Sequence, residues 1–391
     1  MNIANHPIWT NVSSFKKPFH LARIQLAKQF VKLFPKEMFI GVTGSVGKTT
    51  CVKAATLVLS QKYKTSCTKT NLDPIFNIPI SILGLNPSIK RLILEMGIEY
   101  PGEMDFYLSI VKPSKVIITK IYYAHSEFLG GLEDIASEKG KLVEAVDDRG
   151  IAILNGDDIY CRKIAQRCKG TILFFGKDER NCDIWAGNIK VENYKTCFEL
   201  NYGVERVQIE YPLLGEHQVY PALAAAALGI AEGLSLAKIK KGLEQMEPSE
   251  HRLQVVAGPN NSLILDDTYN ASPIAVEAAV DTLMQITGRR KIVVLGEMRE
   301  LGKESEKLHR QVAQKIFKEK PDYVVLGGGE ALIIADELKK LGFSEDRLDS
   351  GLQNSQIVSK LLKVLSKDDV CLIKGSRAVR LDEVVKRIAR K

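Results

Sequence analysis

No apolar run in the 391-residue sequence approaches the roughly 20 residues that a helix needs to cross a bilayer. The N-terminus lacks the apolar stretch and small-residue cleavage site of a secretory leader, so a cytoplasmic protein is expected. The seven cysteines, Cys51, Cys67, Cys161, Cys168, Cys182, Cys197 and Cys371, form no C-x-x-C pair and no other zinc-ligand spacing. Their odd number also argues against a closed disulfide framework, which leaves reduced, structural thiols. No Lys/Arg tract is interleaved with aromatic residues, so the net charge of +8 speaks for anionic ligands in general rather than nucleic acid. No internal repeat or low-complexity tract is evident.

What is present is an alternation of short β-type runs with helical stretches. "MFIGVT" (38–43), "RLILEMG" (91–97), "KVIITK" (115–120), "GIAILNG" (150–156) and "TILFFG" (171–176) read as strands of a mostly parallel sheet flanked by helices. Between 183 and 214 the pattern becomes that of antiparallel strands with tight turns, an elaboration on the same domain. Two helices, one alanine-rich, follow, and then a proline-bearing linker, "EPSEHR" (247–252). A new series, "LILDD" (263–267), "KIVVLG" (291–296), "YVVLGG" (323–328) and "VCLIKG" (370–375), predicts a smaller, Rossmann-like α/β domain. The expected layout is a basic helical extension (1–37), a central ATPase-like domain (38–247) and a C-terminal α/β domain (248–391). In the extension, Phe19, Leu26, Phe30 and Leu33 can share one helix face. Such a helix either packs on the central domain or rests on anionic lipid through residues 15–37.

The chemistry begins at "GVTGSVGKTT" (41–50). A strand ending at Thr43, a glycine turn and a helix starting near Lys48 would present backbone N–H groups and a helix dipole to a phosphate. The usual loop spacing places its first glycine where Val42 stands, so the glycines Gly41, Gly44 and Gly47 are a variant form. Lys48 would neutralise phosphate charge, and Thr49 would ligate Mg²⁺. A further metal ligand belongs at a neighbouring strand end, where Glu95 stands, and His125 and Glu127 follow the next strand. No N-K-x-D guanine signature is present, which weakens a GTPase. A simple kinase leaves unexplained the polar strand ends "DDTYNASP" (266–273), "GEMRELG" (296–302) and "KGSR" (374–377).

These segments, with "LILEMGIEYPGEMD", "AHSEFLGGLEDIASEKGKL" and "HRL", occur in the order of the Mur ligases, and the chain resembles the MurF type of that family over about residues 38–391. The resemblance implies ATP-dependent, Mg²⁺-assisted amide synthesis through an acyl phosphate, with D-alanyl-D-alanine added to a UDP-linked muramoyl tripeptide. It implies ATP contacts at Thr43, Gly44, Ser45, Gly47, Lys48, Thr49 and Thr50, and at His217, Arg252, Asp267 and Asn270. Lys48, Glu95, His125 and Lys139 match the family's catalytic positions, and Thr49, Glu95 and His125 its metal ligands. Lys139 joins those ligands if carbamylated; otherwise it is a solvated lysine. Thr68 and Asn71 match the acceptor side, whereas Lys374 and Arg377 suit the carboxylate of the incoming residue or dipeptide. A monomer acting on small-molecule or glycopeptide substrates is expected.

There are departures. Only about 37 residues precede the loop strand, too few for the UDP-sugar-binding domain usual there. "TKTNLDPIFNIP" (68–79) carries Asp73, Pro74 and Asn77 where the family has asparagines and a glycine, and Gln218 and Pro221 replace asparagines near adenine. A different acceptor (pseudomurein, cyanophycin-like or lipid-linked) and a nucleotide-binding module without catalysis therefore stay open.

Overall fold

Five-residue apolar runs such as Phe39–Thr43 are buried along their whole length, as strands covered on both faces must be. The computed structural model describes residues 3, 6–70 and 72–390. The chain divides into two compact units, one of Met1–Asn188, Phe198–Tyr211 and Val219–Met246, the other of Ile189–Cys197, Pro212–Gln218 and Glu247–Lys391.

The first sheet holds β1 (Phe39–Thr43), β2 (Thr65–Cys67), β3 (Arg91–Glu95), β4 (Lys115–Ile118), β5 (Ile151–Asn155), β6 (Thr171–Gly176), β7 (Ile184–Glu192), β8 (Lys195–Tyr202) and β9 (Glu205–Tyr211). They lie in the order β2-β3-β1-β4-β5-β6-β7-β8-β9. From β2 to β7 every pairing is parallel. Asn193 and Tyr194 then join β7 to β8 with φ of 49° and 59°, the left-handed pair of a tight hairpin turn. The helices are α1 (Lys17–Phe30), α2 (Lys48–Leu59), α3 (Pro74–Leu83), α4 (Glu103–Ile110), α5 (Ser126–Leu129), α6 (Leu132–Glu144), α7 (Ile159–Ala165), α8 (Val219–Ala231) and α9 (Leu236–Leu243). At the end of the sheet away from the loop, Arg91 donates to both oxygens of Glu232 at 2.8 and 2.7 Å, and Lys115 adds 3.1 Å. This fork ties the starts of β3 and β4 to the chain after α8.

The N-terminal helix docks with the face opposite to the predicted stripe. Ile24 and Ala27 of α1 are buried in the core that also holds Ile75 and Ile78 of α3, while Phe19, Leu26 and Leu33 stay exposed and Phe30 is half-buried. Before α1, the buried Trp9 meets Phe76 of α3 edge to face at 5.6 Å, and His6 Nε2 lies 2.9 Å from Glu103 Oε1.

The second unit holds β10 (Gln254–Ala257), β11 (Leu263–Asp267), β12 (Lys291–Leu295), β13 (Tyr323–Gly327), β14 (Leu348–Leu352) and β15 (Val370–Lys374), in the order β10-β11-β15-β12-β13-β14. All pairings are parallel except β10 with β11. Its helices are α10 (Pro273–Gln285), α11 (Ser305–Glu319), α12 (Ala331–Lys340), α13 (Asn354–Val364) and α14 (Asp382–Ile388). The expected fold class, a mostly parallel sheet with an antiparallel elaboration followed by a second α/β sheet, is what the chain forms.

Candidate functional site

The first unit builds its site where β1 turns into α2. Gly44 has φ 147°, and a Cβ there would collide with the Thr119 hydroxyl, so only glycine lets the loop pass this close to the end of β4. Thr43 donates from Oγ1 to the Met96 carbonyl at 2.7 Å, and Ser45 donates from N to the Lys120 carbonyl and from Oγ to that of Tyr122, at 2.7 and 2.6 Å. Thr119 Oγ1 donates to the Val46 carbonyl at 2.6 Å. The loop is thus fastened from behind through its side chains and carbonyls. Gly47, at φ 79°, starts α2, so Lys48, Thr49 and Thr50 form its first turn. Lys48 Nζ donates to the Gly44 and Ser45 carbonyls at 2.8 and 3.3 Å.

Two residues named from separate strand ends meet here. Thr49 Oγ1 donates to Glu95 Oε1 at 3.1 Å. The Glu95 backbone N–H in turn donates to Thr68 Oγ1 at 3.0 Å, so Thr68 supports Glu95. His125 stands just beyond β4 in a left-handed conformation, φ 55°, at the N-terminus of α5. Among the described residues no three His, Cys, Asp or Glu side chains converge as a metal-binding group. A cation at Thr49 and Glu95 would therefore complete its shell with other oxygens, which suits Mg²⁺ held between a protein and a phosphate.

Lys139 is not a solvated lysine. It is 1% exposed, midway along α6. Burial lowers its pKa well below the ordinary lysine value, with the Lys48 charge acting in the same direction and Glu103 and Glu138 opposing. Glu138 accepts from the Gly102 and Met104 N–H groups and from Lys141, at 2.8, 3.2 and 2.7 Å. Burial also pushes the Glu103 carboxyl up to about 7 and that of Asp73 up to about 6.

The unusual residues of the 68–79 segment have local structural work. Asp73 caps α3 by accepting from the Ile75 N–H at 2.8 Å, ahead of Pro74 at the first helical position. Asn77 is 2% exposed and pins the preceding loop, accepting from Lys69 N at 3.1 Å and donating to the Lys69 and Leu72 carbonyls at 2.7 and 3.2 Å. Asn71 lies outside the described residues.

The second unit gathers its own cluster at the strand ends. The pairing of β11 with β15 sets Asp267 beside Lys374. Lys374 Nζ, buried, donates to Asp267 Oδ2 at 2.6 Å and to the Asn270 carbonyl at 2.9 Å. Asp267 Oδ1 accepts from Leu253 N at 3.2 Å. Asp266 points the other way, to His251 Nδ1 and Thr268 Oγ1, both at 2.7 Å. The Arg252 and Arg377 guanidinium groups lie 4.0 and 5.7 Å from the Tyr269 ring centroid. His217 feels the fields of Asp267 and Lys374, but burial dominates and pushes it down to about 4, leaving a neutral imidazole at neutral pH. Arg299 N donates to Ser376 Oγ at 2.9 Å and Ser376 N to the Glu297 carbonyl at 3.2 Å, zipping "GEMRELG" to "KGSR". Beside this zip lies a cavity of about 620 Å³ lined by Glu297, Arg299, Gly328, Asn354 and Arg387.

A sequence profile of the Mur ligase middle domain matches residues 42–229, and one of the Mur ligase glutamate ligase domain matches residues 251–377. The chain belongs to the Mur ligase family. It is 32% identical over 358 residues to the UDP-N-acetylmuramoyl-tripeptide–D-alanyl-D-alanine ligase of Escherichia coli (strain K12), covering 89% of this chain and 76% of that one. A crystal structure of MurF from Acinetobacter baumannii superposes with a TM-score of 0.86 at 28% identity, over 94% of this chain and 80% of that one. MurF ligase from Thermotoga maritima in complex with ADP gives 0.82 at 26% identity, over 94% and 83%. In this Mur ligase the sequence reading passed over Tyr269, whose ring meets both Arg252 and Arg377, although it sits inside "DDTYNASP". It also passed over His251 and Glu138, whose partners come from distant segments and leave no local spacing signal.

Proposed function

We infer that this Mur ligase joins a carboxylate acceptor to an amine at the expense of ATP, with a muramoyl tripeptide as acceptor and D-alanyl-D-alanine as amine. The observation that carries the reading is the Lys48–Thr49–Glu95 arrangement at the β1–α2 loop. The N–H groups of the first α2 turn and Lys48 would hold the phosphates, and Thr49 with Glu95 would hold Mg²⁺. When bound there, Mg²⁺ would supply the charge that lets a carboxylate approach a phosphate. The acceptor carboxylate attacks the γ-phosphorus, the bond to ADP breaks, and an acyl phosphate forms. The amine then attacks the carbonyl, loses a proton, and phosphate departs as the amide forms. Arg377, exposed beside Tyr269, offers its planar fork to the carboxylate of the amine substrate. Lys374, whose ammonium already serves Asp267 and Asn270, shapes that turn instead. Roles for Arg252, Asp267, Asn270 and His217 toward ATP, and for His125 toward metal, rest on the family resemblance.

The test supplies ATP and Mg²⁺ with UDP-muramoyl tripeptide and D-alanyl-D-alanine, separately and together, and measures phosphate release and product mass. Release that needs both substrates and stops with EDTA, together with the joined pentapeptide, is expected. No release from protein that still binds ATP would sink this choice of acceptor and move it to another carboxylate. Release with neither substrate would remove the ligase reading itself.

A carbamate on Lys139 would place a further oxygen ligand beside the loop, and the burial of that side chain suits an amine kept from water. With ¹³C-bicarbonate, the protein should show a carbamate carbonyl resonance that Lys139→Ala lacks. An identical spectrum from both proteins would remove Lys139 from the metal-binding set.

A further inference from the structure

The outer face of α1 is not absorbed by the ligase chemistry. Phe15, Phe19, Leu26 and Leu33 are 77, 62, 59 and 75% exposed, with exposed Ala22 among them. At 100° per residue Phe19, Ala22 and Leu26 fall in one line on α1, across from the Ile24 and Ala27 face that anchors the helix in the core, and Phe15 and Leu33 stand in the turns before and after it. Helices of soluble proteins ordinarily bury their one apolar stripe and present polar residues outward. Here a second apolar stripe is held outward by a helix that is already anchored.

Charge decides what the stripe fits. The first 36 residues contain six Lys or Arg and no Asp or Glu; the first acid is Glu37. Lys16 and Arg23 flank one side of the line and Lys32 the other, while Lys28 stands beside Ile24 on the side that faces α4. The nearest acid on the adjoining α4, Asp105, is paired with Lys141 at 2.7 Å, and Lys36 pairs with Asp147. A protein partner would call for a broad patch, about 800 Å² on each side. The observed feature is a single line of side chains along the 14 residues of α1, about 21 Å by helical rise, with cations along both edges. An apolar line with basic edges is the form that lies in the boundary between headgroups and acyl chains.

We propose that α1 with its flanking turns is a docking surface for an anionic lipid bilayer. Phe15, Phe19, Leu26 and Leu33 enter the acyl boundary, and Lys16, Arg23 and Lys32 lie on the headgroups. The docking holds the ligase at a membrane without a span, in keeping with the finding that no described helix is long and apolar enough to cross one.

The experiment is co-sedimentation of the full chain with vesicles of phosphatidylcholine alone and of an equimolar phosphatidylcholine–phosphatidylglycerol mixture. Binding should be confined to the anionic vesicles and should weaken in about 0.5 M salt, where screening is short-ranged. The double variant Phe19→Glu/Leu26→Glu should bind roughly tenfold or more weakly, with its melting temperature and solution activity unchanged. Neutralising Lys16, Arg23 and Lys32 to Gln should flatten the salt dependence. Wild-type protein that ignores anionic vesicles overturns the proposal, and so does a double variant that binds them like wild type. A stripe that instead carries self-association, seen as a dimer lost in the double variant without vesicle binding, also overturns it.

Discussion

Lys48→Ala should lower the ATP-dependent turnover by about 10³-fold while leaving the melting temperature within a few degrees of wild type. The side chain reaches across the loop mouth: its Cε lies 3.3 Å from where a Cβ on Gly97 would be, and its ammonium rests on the Gly44 and Ser45 carbonyls. Those carbonyls belong to a loop fastened independently by Thr43, Ser45 and Thr119, so the fold does not depend on the ammonium. In phosphoryl transfer there is little covalent work for the protein, and catalysis rests on positioning and on charge opposite charge. Losing one preorganised charged donor typically costs about 3–4 kcal/mol of transition-state stabilisation, which is two to three powers of ten in rate. Lys48→Arg should rescue little, because the planar guanidinium is wider than the ammonium and Gly97 marks how closely the site approaches. The check is single-turnover and steady-state product formation beside a thermal melt. A Lys48→Ala enzyme retaining more than about a tenth of the rate would falsify the placement of Lys48 at the phosphates.

The parts legible in the sequence are those where one local run carries the whole signal. β1, β3, β4, β5, β6, β11, β12, β13 and β15 read clearly because interior parallel strands are nearly continuous apolar runs. β10 and β14 escaped notice, since both are sheet edges; β14 is "LDSGL", half-exposed, with a register shift against β13. The loop, Glu95 and Lys48 were readable because each follows directly from a strand end. The bond from the Glu95 backbone to the Thr68 hydroxyl was not legible, because it is a contact between strands that no local spacing encodes. The α1 stripe was visible as a period, but periodicity alone does not say which of two apolar faces is turned inward. The smaller Ile24–Ala27 face won, because a close helix-to-helix fit against α3 favours a small residue such as alanine over phenylalanine.

Lys374 and Arg377 look interchangeable in "KGSR", and the structure predicts that they fail in different ways. Lys374 is 2% exposed and its carboxylate partner sits one strand away, so Lys374→Met leaves Asp267 charged with only the Leu253 N–H for company. Breaking a buried ion pair by removing one partner costs about 3–5 kcal/mol, because the remaining charge is uncompensated. That corresponds to a fall in melting temperature of about 5 °C for a chain of this size melting as one. The double variant Lys374→Met/Asp267→Leu should recover much of it, since a buried pair replaced by apolar groups is often close to neutral. Arg377 is exposed and touches the fold through Tyr269, so Arg377→Ala should melt near wild type. Its loss should appear instead in the KM for the amine substrate, by roughly ten- to a hundredfold for a charged hydrogen-bonding fork. Thermal melts and KM measurements on the same three variants separate the two roles. A Lys374→Met protein with unaltered melting and a raised KM would reverse the assignment, making the buried ammonium the group that meets the substrate and Arg377 a bystander on Tyr269.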